Sequence, residues 1–229
     1  MEAIVLAGGM GTRLRALIPN LPKPLAPVAG RPFISILLDQ LDAQGFSRVV
    51  LSVGYRHEMI RQALGGRHRG IELLYAVEDQ PLGTGGGIRL AAQQCRTDEI
   101  FVLNGDSYVD VDCSAMLVVH KARHASLTIC AKAEADASRY GGMQIADDHI
   151  VSFTEQGSHG PGIINAGVYL LARELMLDPE LPEAFSFERD FLARRLDEVK
   201  PLAFVTKGAF IDIGVPDDYV RANQMFLAS

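Results

Sequence analysis

The sequence predicts an α/β fold, a mixed sheet flanked by helices. Two observations carry this expectation. Through the first half of the 229 residues, short apolar runs alternate with segments of helical periodicity, the pattern of strands covered by helices on both faces. In the second half the runs shorten and glycine-rich turns separate them, which reads as hairpins.

Taken in order, Glu2–Leu6 is the first strand, 49–53 the second, Ile71–Val77 the third and 100–103 the fourth. Helical candidates lie between them at 33–44, His57–Leu64 and 87–94, and another near 113–123 precedes a strand at 127–132. Short strands at 142–145, 150–153 and 165–171 suggest a small hairpin lid region laid over the sheet. The segments 201–205 and 210–213 return to the core pattern, and an amphipathic helix over 217–227 follows Pro216. No repeat and no Pro- or Ser-rich linker divides the chain, so residues 1–229 read as one domain.

A formal net charge of −6 argues against a general nucleic-acid binder, which would present a basic face, but a few local cations can still make one cleft positive. Three cysteines, Cys95, Cys113 and Cys130, are far apart and unlike any metal-ligand spacing, so they read as reduced core or surface residues. No apolar run reaches the about 18 residues of a membrane span and no secretory leader opens the chain. A cytoplasmic enzyme without a membrane partner is expected.

The first strand runs into Ala7-Gly8-Gly9-Met10-Gly11-Thr12-Arg13-Leu14. Small residues after a buried strand let backbone N–H groups approach a phosphate or a base. A dinucleotide fingerprint would need glycine where Leu14 stands and an acid ending the second strand, where Ser52-Val53-Gly54 supplies none. A P-loop would need Gly-Lys-Ser/Thr where Gly11-Thr12-Arg13 stands. Ten residues after Arg13 comes Lys23, between Pro22 and Pro24, whose rings are expected to hold the backbone extended and limit where the lysine points. Arg13 and Lys23 are therefore expected to converge on a triphosphate from opposite ends of one loop.

The run Gly-Gly-Met-Gly-Thr-Arg-Leu followed by Pro22-Lys23-Pro24 resembles the signature of the sugar nucleotidyltransferase family. The resemblance continues through Glu78-Asp79-Gln80-Pro81-Leu82-Gly83-Thr84-Gly85-Gly86, Asn104-Gly105-Asp106, Asn165-Ala166-Gly167-Val168-Tyr169 and Phe210-Ile211-Asp212-Ile213-Gly214, covering essentially the whole chain in order. Within the family the likeness is first to the D-glycero-α-D-manno-heptose 1-phosphate guanylyltransferases and next to the mannose-1-phosphate guanylyltransferases. It implies a Rossmann-like, GT-A-like sheet and transfer of a guanylyl group from GTP to a sugar 1-phosphate, giving a GDP-sugar and pyrophosphate. Other hexose 1-phosphates, uridylyl or thymidylyl transfer, and a non-catalytic nucleotide-sugar-binding subunit are the alternatives, and a homo-oligomer is compatible with any of them. A degenerate copy would be expected to lose Arg13, Lys23, Asp106 or Asp212, and all four are present.

Asp106 and Asp212 each follow an apolar run, at the edge where open α/β sheets bind ligands. By resemblance they are the ligands of Mg²⁺, which takes few protein oxygens and bridges substrate phosphates; taken alone, either could cap a helix or turn. Arg13 and Lys23 are then the catalytic cations, and Leu6, Ala7, Gly8, Gly9, Gly11 and Thr12 the nucleotide loop. Pro81, Gly83 and Thr84 resemble the loop that closes over the base. Glu78 takes the base-reading position, where a carboxylate matches the two adjacent N–H donors of guanine, unless it is only an exposed loop acid.

Asn104, Gly141, Glu155, Asn165 and Gly167 match the positions that contact the sugar. Gln156 departs from the family's lysine there, and Lys207 is a candidate to supply the missing cation. The segment 157–162, with Ser158 and His159, reads either as a polar wall for the extra hydroxymethylene carbon of a heptose or as a plain turn.

Overall fold

The computed structural model describes residues 1–9, 14, 18–19, 21–154 and 159–227. Among them the strands are β1 (Glu2–Leu6), β2 (Pro27–Val28), β3 (Arg31–Pro32), β4 (Arg48–Val53), β5 (Arg67–His68), β6 (Ile71–Val77), β7 (Glu99–Asn104), β8 (Ser107–Val109), β9 (Leu127–Glu134), β10 (Gly142–Ala146), β11 (His149–Thr154), β12 (Gly162–Ala172), β13 (Leu202–Thr206) and β14 (Phe210–Asp212). The α-helices are α1 (Phe33–Ala43), α2 (His57–Leu64), α3 (Gly83–Ala92), α4 (Cys113–Ala122), α5 (Glu174–Leu177), α6 (Ala193–Val199) and α7 (Pro216–Leu227). A π-helical stretch, Phe187–Leu192, leads into α6. No helix among the described residues is long and apolar enough to cross a membrane.

Ten strands form one mixed sheet in the order β10-β11-β13-β9-β12-β7-β1-β4-β6-β5. Alternation along the central strands explains how it is buried on both sides. Ala3 and Val5 of β1, Leu51 of β4 and Leu103 of β7 join Leu38 of α1, Ile60 of α2 and Met116 of α4 in one apolar layer. Ile4, Val50 and Val102 point the other way, onto Ile88 and Ala91 of α3 and Phe187 and Phe191 of the π-helical stretch. A third cluster joins Leu14 and Phe33 to Ile211, Ile213 and Ala222, tying the N-terminal region to the C-terminal helix.

Local signals set the helix boundaries. The Asp112 carboxylate caps α4 by accepting from the Ala115 N–H at 2.9 Å. Pro216 opens α7, where its missing N–H costs no helical bond. After α1, Phe46 N–H to Leu41 carbonyl and Gly45 N–H to Asp42 carbonyl form a Schellman stop before β4.

The structure corrects three expectations. The hairpin expected over the sheet extends it instead: β10 and β11 form one edge, and β10 also pairs with β12 at Gly142↔Ile164. The segment at 210–213 does not join the large sheet; β14 pairs antiparallel with β8 in a two-stranded sheet of its own. Pro22 is extended as expected, but Lys23–Leu25 is a 3₁₀ turn. Prolines remove their own donors only; the Leu25 and Ala26 N–H groups remain and close i→i+3 bonds to Pro22 and Lys23.

Candidate active site

The strands β6-β4-β1-β7 run parallel, so the chain leaves β1 in opposite directions along the sheet to reach β4 and later β7. That reversal is where open α/β sheets leave a crevice beyond their carboxyl ends. Three connections are locked there. The Ala7 N–H donates to the Ser52 carbonyl at 2.7 Å, Glu78 N–H to Val53 at 2.8 Å, and Gly105 N–H to Leu6 at 2.9 Å. The start of the glycine loop, the loop that begins at Glu78 and the Asn104-Gly105-Asp106 turn are therefore positioned by one sheet edge.

Asp106 and Asp212 are 106 positions apart in sequence terms but share one small ladder. Asp212 is paired with Ser107, the residue after Asp106, and the Ile213 N–H donates to the Asp106 carbonyl at 2.9 Å. Between the two carboxylates sits the Lys23 ammonium, 2.7 Å from Asp106 Oδ2 and 3.7 Å from Asp212 Oδ1. The Gly214 N–H donates to Asp212 Oδ1 at 2.6 Å. Burial, and then the nearby Asp106 carboxylate, push Asp212 above the ordinary carboxylate range against the pull of Lys23 and Gly214. Two carboxylates that converge on one cation fit Mg²⁺, because phosphates and water complete its shell. No group of three or more His, Cys, Asp or Glu that could hold an ion occurs among the described residues.

Beside this cluster opens a cleft of about 310 Å³. Asn104, Gly141, Asn165 and Gly167 all line it, together with Asp106 and Asp212. Gly167 has φ +74, and a Cβ there would stand 2.6 Å from Asn104 Nδ2 and 3.0 Å from Ser107 Oγ, so only glycine lets β12 approach β7 and β8 this closely. Asn165 Nδ2 donates to the Tyr169 hydroxyl at 2.7 Å, which donates to Glu188 Oε1 at 3.1 Å. Full burial, with Glu188 beside it, raises the Tyr169 phenol well above its usual range, so it remains a neutral donor.

At the start of the loop after β6, Glu78 Oε1 accepts from Ser52 Oγ at 3.1 Å and Oε2 from the Leu82 N–H at 3.1 Å. A Cβ on Gly8 would lie 3.3 Å from Glu78 Oε1, so the glycine loop starts directly over this carboxylate. Pro81, Gly83 and Thr84 are exposed. The Thr84 hydroxyl donates to Glu188 Oε2 at 2.8 Å and accepts from the Phe187 N–H at 2.8 Å. The N–H of Gly85 goes to the Phe185 carbonyl at 2.9 Å, and a Cβ on Gly85 would meet the Phe185 ring at 2.1 Å. The glycine run thus serves a close crossing of α3 over residues 183–187.

A model of the nucleotidyl transferase family matches residues 2–229. The chain belongs to that family. It is 41% identical over 224 residues to the D-glycero-alpha-D-manno-heptose 1-phosphate guanylyltransferase of Aneurinibacillus thermoaerophilus, covering 98% of this chain and 97% of that one. With the enzyme of the same name from Campylobacter jejuni the identity is 38%, covering 96% and 97%. The crystal structure of HddC from Yersinia pseudotuberculosis complexed with GMP-PN superposes with a TM-score of 0.87 at 35% identity, covering 98% of this chain and 99% of that one.

Seen as a nucleotidyl transferase, the chain brings together Lys23, Asp106 and Asp212 in one cluster and the four described residues expected to contact the sugar, Asn104, Gly141, Asn165 and Gly167, in the cleft beside it. Gly11, Thr12, Arg13, Glu155, Gln156 and Ser158 lie outside the described residues. Lys207 and His159 are exposed and neither lines the cleft. Sequence reading overlooked Arg139, Ser107, Ser186 and Glu188, which do line it. Ser107 directly follows Asp106, a signal that was available; Glu188 comes from the π-helical stretch, which no periodicity announced. All three cysteines are buried as free thiols, with burial first among the causes that push each up to about 12, so none is poised as a nucleophile.

Proposed function

We propose that this chain transfers the guanylyl group of GTP to a sugar 1-phosphate, with D-glycero-α-D-manno-heptose 1-phosphate as the sugar, and releases pyrophosphate. The observation that carries the reading is the acid–lysine–acid cluster beside a polar cleft, at the end of the strand that enters the glycine loop. Two full-length relatives bear the heptose name, which favours that sugar over mannose.

An oxygen of the sugar phosphate is anionic near neutral pH and attacks the α-phosphorus of GTP without a general base. The new P–O bond forms as the bond to the β-phosphate bridging oxygen breaks, and that oxygen leaves with pyrophosphate. The barrier is repulsion between two polyanions, so positioning and charge neutralisation supply the catalysis. Asp106 and Asp212 would hold Mg²⁺, whose chemistry when bound is to screen the charge around the α-phosphate. Lys23, exchanged out of the carboxylate pair, is free to donate to phosphate oxygens. Arg13 and the backbone of Leu6, Ala7, Gly8, Gly9, Gly11 and Thr12 are assigned the nucleotide phosphates and sugar. Glu78, fixed by Ser52 and Leu82, keeps unused lone pairs for guanine N–H donors, with Pro81, Gly83 and Thr84 over the base. Asn104, Gly141, Glu155, Asn165 and Gly167 are assigned the transferred sugar. Residues 1–229 are proposed to act as one catalytic unit, a reading supported by a sheet that interleaves strands from both halves of the chain, and to do so in the cytoplasm.

A screen of GTP, UTP, dTTP and ATP against heptose, mannose and glucose 1-phosphates, read by pyrophosphate release, tests the proposal. GTP with the heptose phosphate is expected to give the highest kcat/KM. Faster turnover with UTP, or no pyrophosphate with any pair, would overturn it.

A further inference from the structure

The cleft wall is rich in carboxylates, and Lys23, which offsets two of them, is not among the residues that line it. Asp106, Asp212 and Glu188 bring carboxylates to its wall, and among the described residues that line it only Arg139 brings a cation. A dianionic substrate entering such a cleft needs a donor that is both charged and fixed.

Arg139 is fixed from behind. Its guanidinium bonds to the carboxylate of Asp218 in the first turn of α7, and Asp218 is only 1% exposed. The other Asp218 oxygen accepts from Arg221 Nη1 at 2.9 Å, so the buried acid is fully paired. The Tyr140 ring lies alongside, 5.8 Å from the guanidinium, and itself packs edge-on against Phe210. Yet the Arg139 side chain remains 45% exposed and lines the cleft, its charge held chiefly by the Asp218 hydrogen bond, with Asp212 a lesser contributor. A guanidinium has five N–H donors in a planar fork. One edge held by Asp218 leaves another to face an anion. A residue needed only to clamp the 136–141 loop onto α7 would gain nothing from facing the cleft.

We propose that Arg139 binds the phosphate of the sugar 1-phosphate, with Asp218 as the residue that positions it; the inference rests on the guanylyl-transfer reading above. The choice of the sugar phosphate over the triphosphate follows from its neighbours. Arg139 shares the cleft with Gly141 and Asn165, whereas Gly8 and Glu78 do not line it. Held there, the guanidinium aims the attacking phosphate toward the site of Asp212 and offsets the repulsion of the acid pair.

The test is calorimetric titration of heptose, mannose and glucose 1-phosphates, and separately of GTP, into the wild type, Arg139→Gln and Arg139→Lys. Arg139→Gln is expected to weaken each sugar phosphate that the wild type binds by roughly 10- to 100-fold, the usual worth of hydrogen bonds to charged groups, with GTP affinity unchanged. Arg139→Lys, which keeps the charge and Asp218 paired, should recover part of the loss. Wild-type sugar-phosphate affinity in Arg139→Gln overturns the role of Arg139 and leaves guanylyl transfer standing. Equal loss of GTP and sugar phosphate in both variants also overturns it, because it shows a clamp alone. A wild type that binds none of the three sugar phosphates overturns the transfer reading and this inference together.

Discussion

Replacing Lys23 by Met keeps the length of the side chain and removes the positive charge that lies between Asp106 and Asp212. The ammonium lies 2.7 and 3.7 Å from the two carboxylates, so the acids are left facing one another across a gap no longer than those distances laid end to end. Two like charges about 6 Å apart repel by roughly 3 kcal/mol at an effective dielectric of about 20. Asp106 is 43% exposed and Asp212 32%, so solvent screening cuts this to a net of about 1 kcal/mol. In a chain of this size that corresponds to a loss of about 2–4 °C in the metal-free Tm. Mg²⁺ should then stabilise Lys23→Met more than the wild type, since the ion no longer competes with an ammonium for the same oxygens. Activity should move the other way, with kcat falling by about 10²–10³, the loss typical of one charge-stabilising donor. The assays are thermal melts with EDTA and with Mg²⁺, alongside steady-state pyrophosphate release. A variant that melts like the wild type in both buffers and retains kcat within about threefold, against the roughly 10²-fold or greater loss expected, would show that Lys23 neither separates the acids nor acts on the phosphates.

Three further outcomes are expected. Asp212→Asn should abolish turnover but raise the metal-free Tm at pH 7: a carboxylate raised in the folded state favours the fold while protonated, and that advantage is lost as pH rises from the unfolded toward the folded value. The gain should vanish in melts below the ordinary Asp range, and a variant less stable than the wild type at pH 7 would contradict it. Glu78→Gln should reduce the preference for GTP over UTP by about 1–3 kcal/mol, seen as a ratio of kcat/KM values, while an unchanged ratio would remove Glu78 from base reading. Gly167→Ala places a Cβ at φ +74 against Asn104 and Ser107, which should cost about 1–3 kcal/mol in denaturant melts and raise the KM for the sugar phosphate; a fully stable, fully active variant would show that the close approach is not needed.

Strands with alternating or continuous apolar character were legible in the sequence, and Glu2–Leu6 and Ile71–Val77 match to the residue. The start of α3 was not. Gly83, Gly85 and Gly86 look like a turn, and only the crossing of Phe185, about a hundred positions away, explains why they are helical. The π-helical stretch was missed for a related reason: Thr84, which receives its first N–H, lies 103 positions away, although its cap, Ser186, stands directly before it. Asp106 and Asp212 were legible as candidates, but what joins them, the β8–β14 ladder and the shared ammonium, is non-local pairing. Arg139 carried no motif of its own; its place depends on a buried acid of α7.

Transfer of the guanylyl group of GTP to a sugar 1-phosphate at the Asp106–Lys23–Asp212 cluster can be followed with GTP labelled at the α-phosphorus, incubated with D-glycero-α-D-manno-heptose 1-phosphate and Mg²⁺. Label is expected in a GDP-sugar, matched one for one by pyrophosphate, and none when EDTA is present. Label remaining in GTP, label in GMP without sugar attached, or transfer that persists without a divalent ion would contradict it.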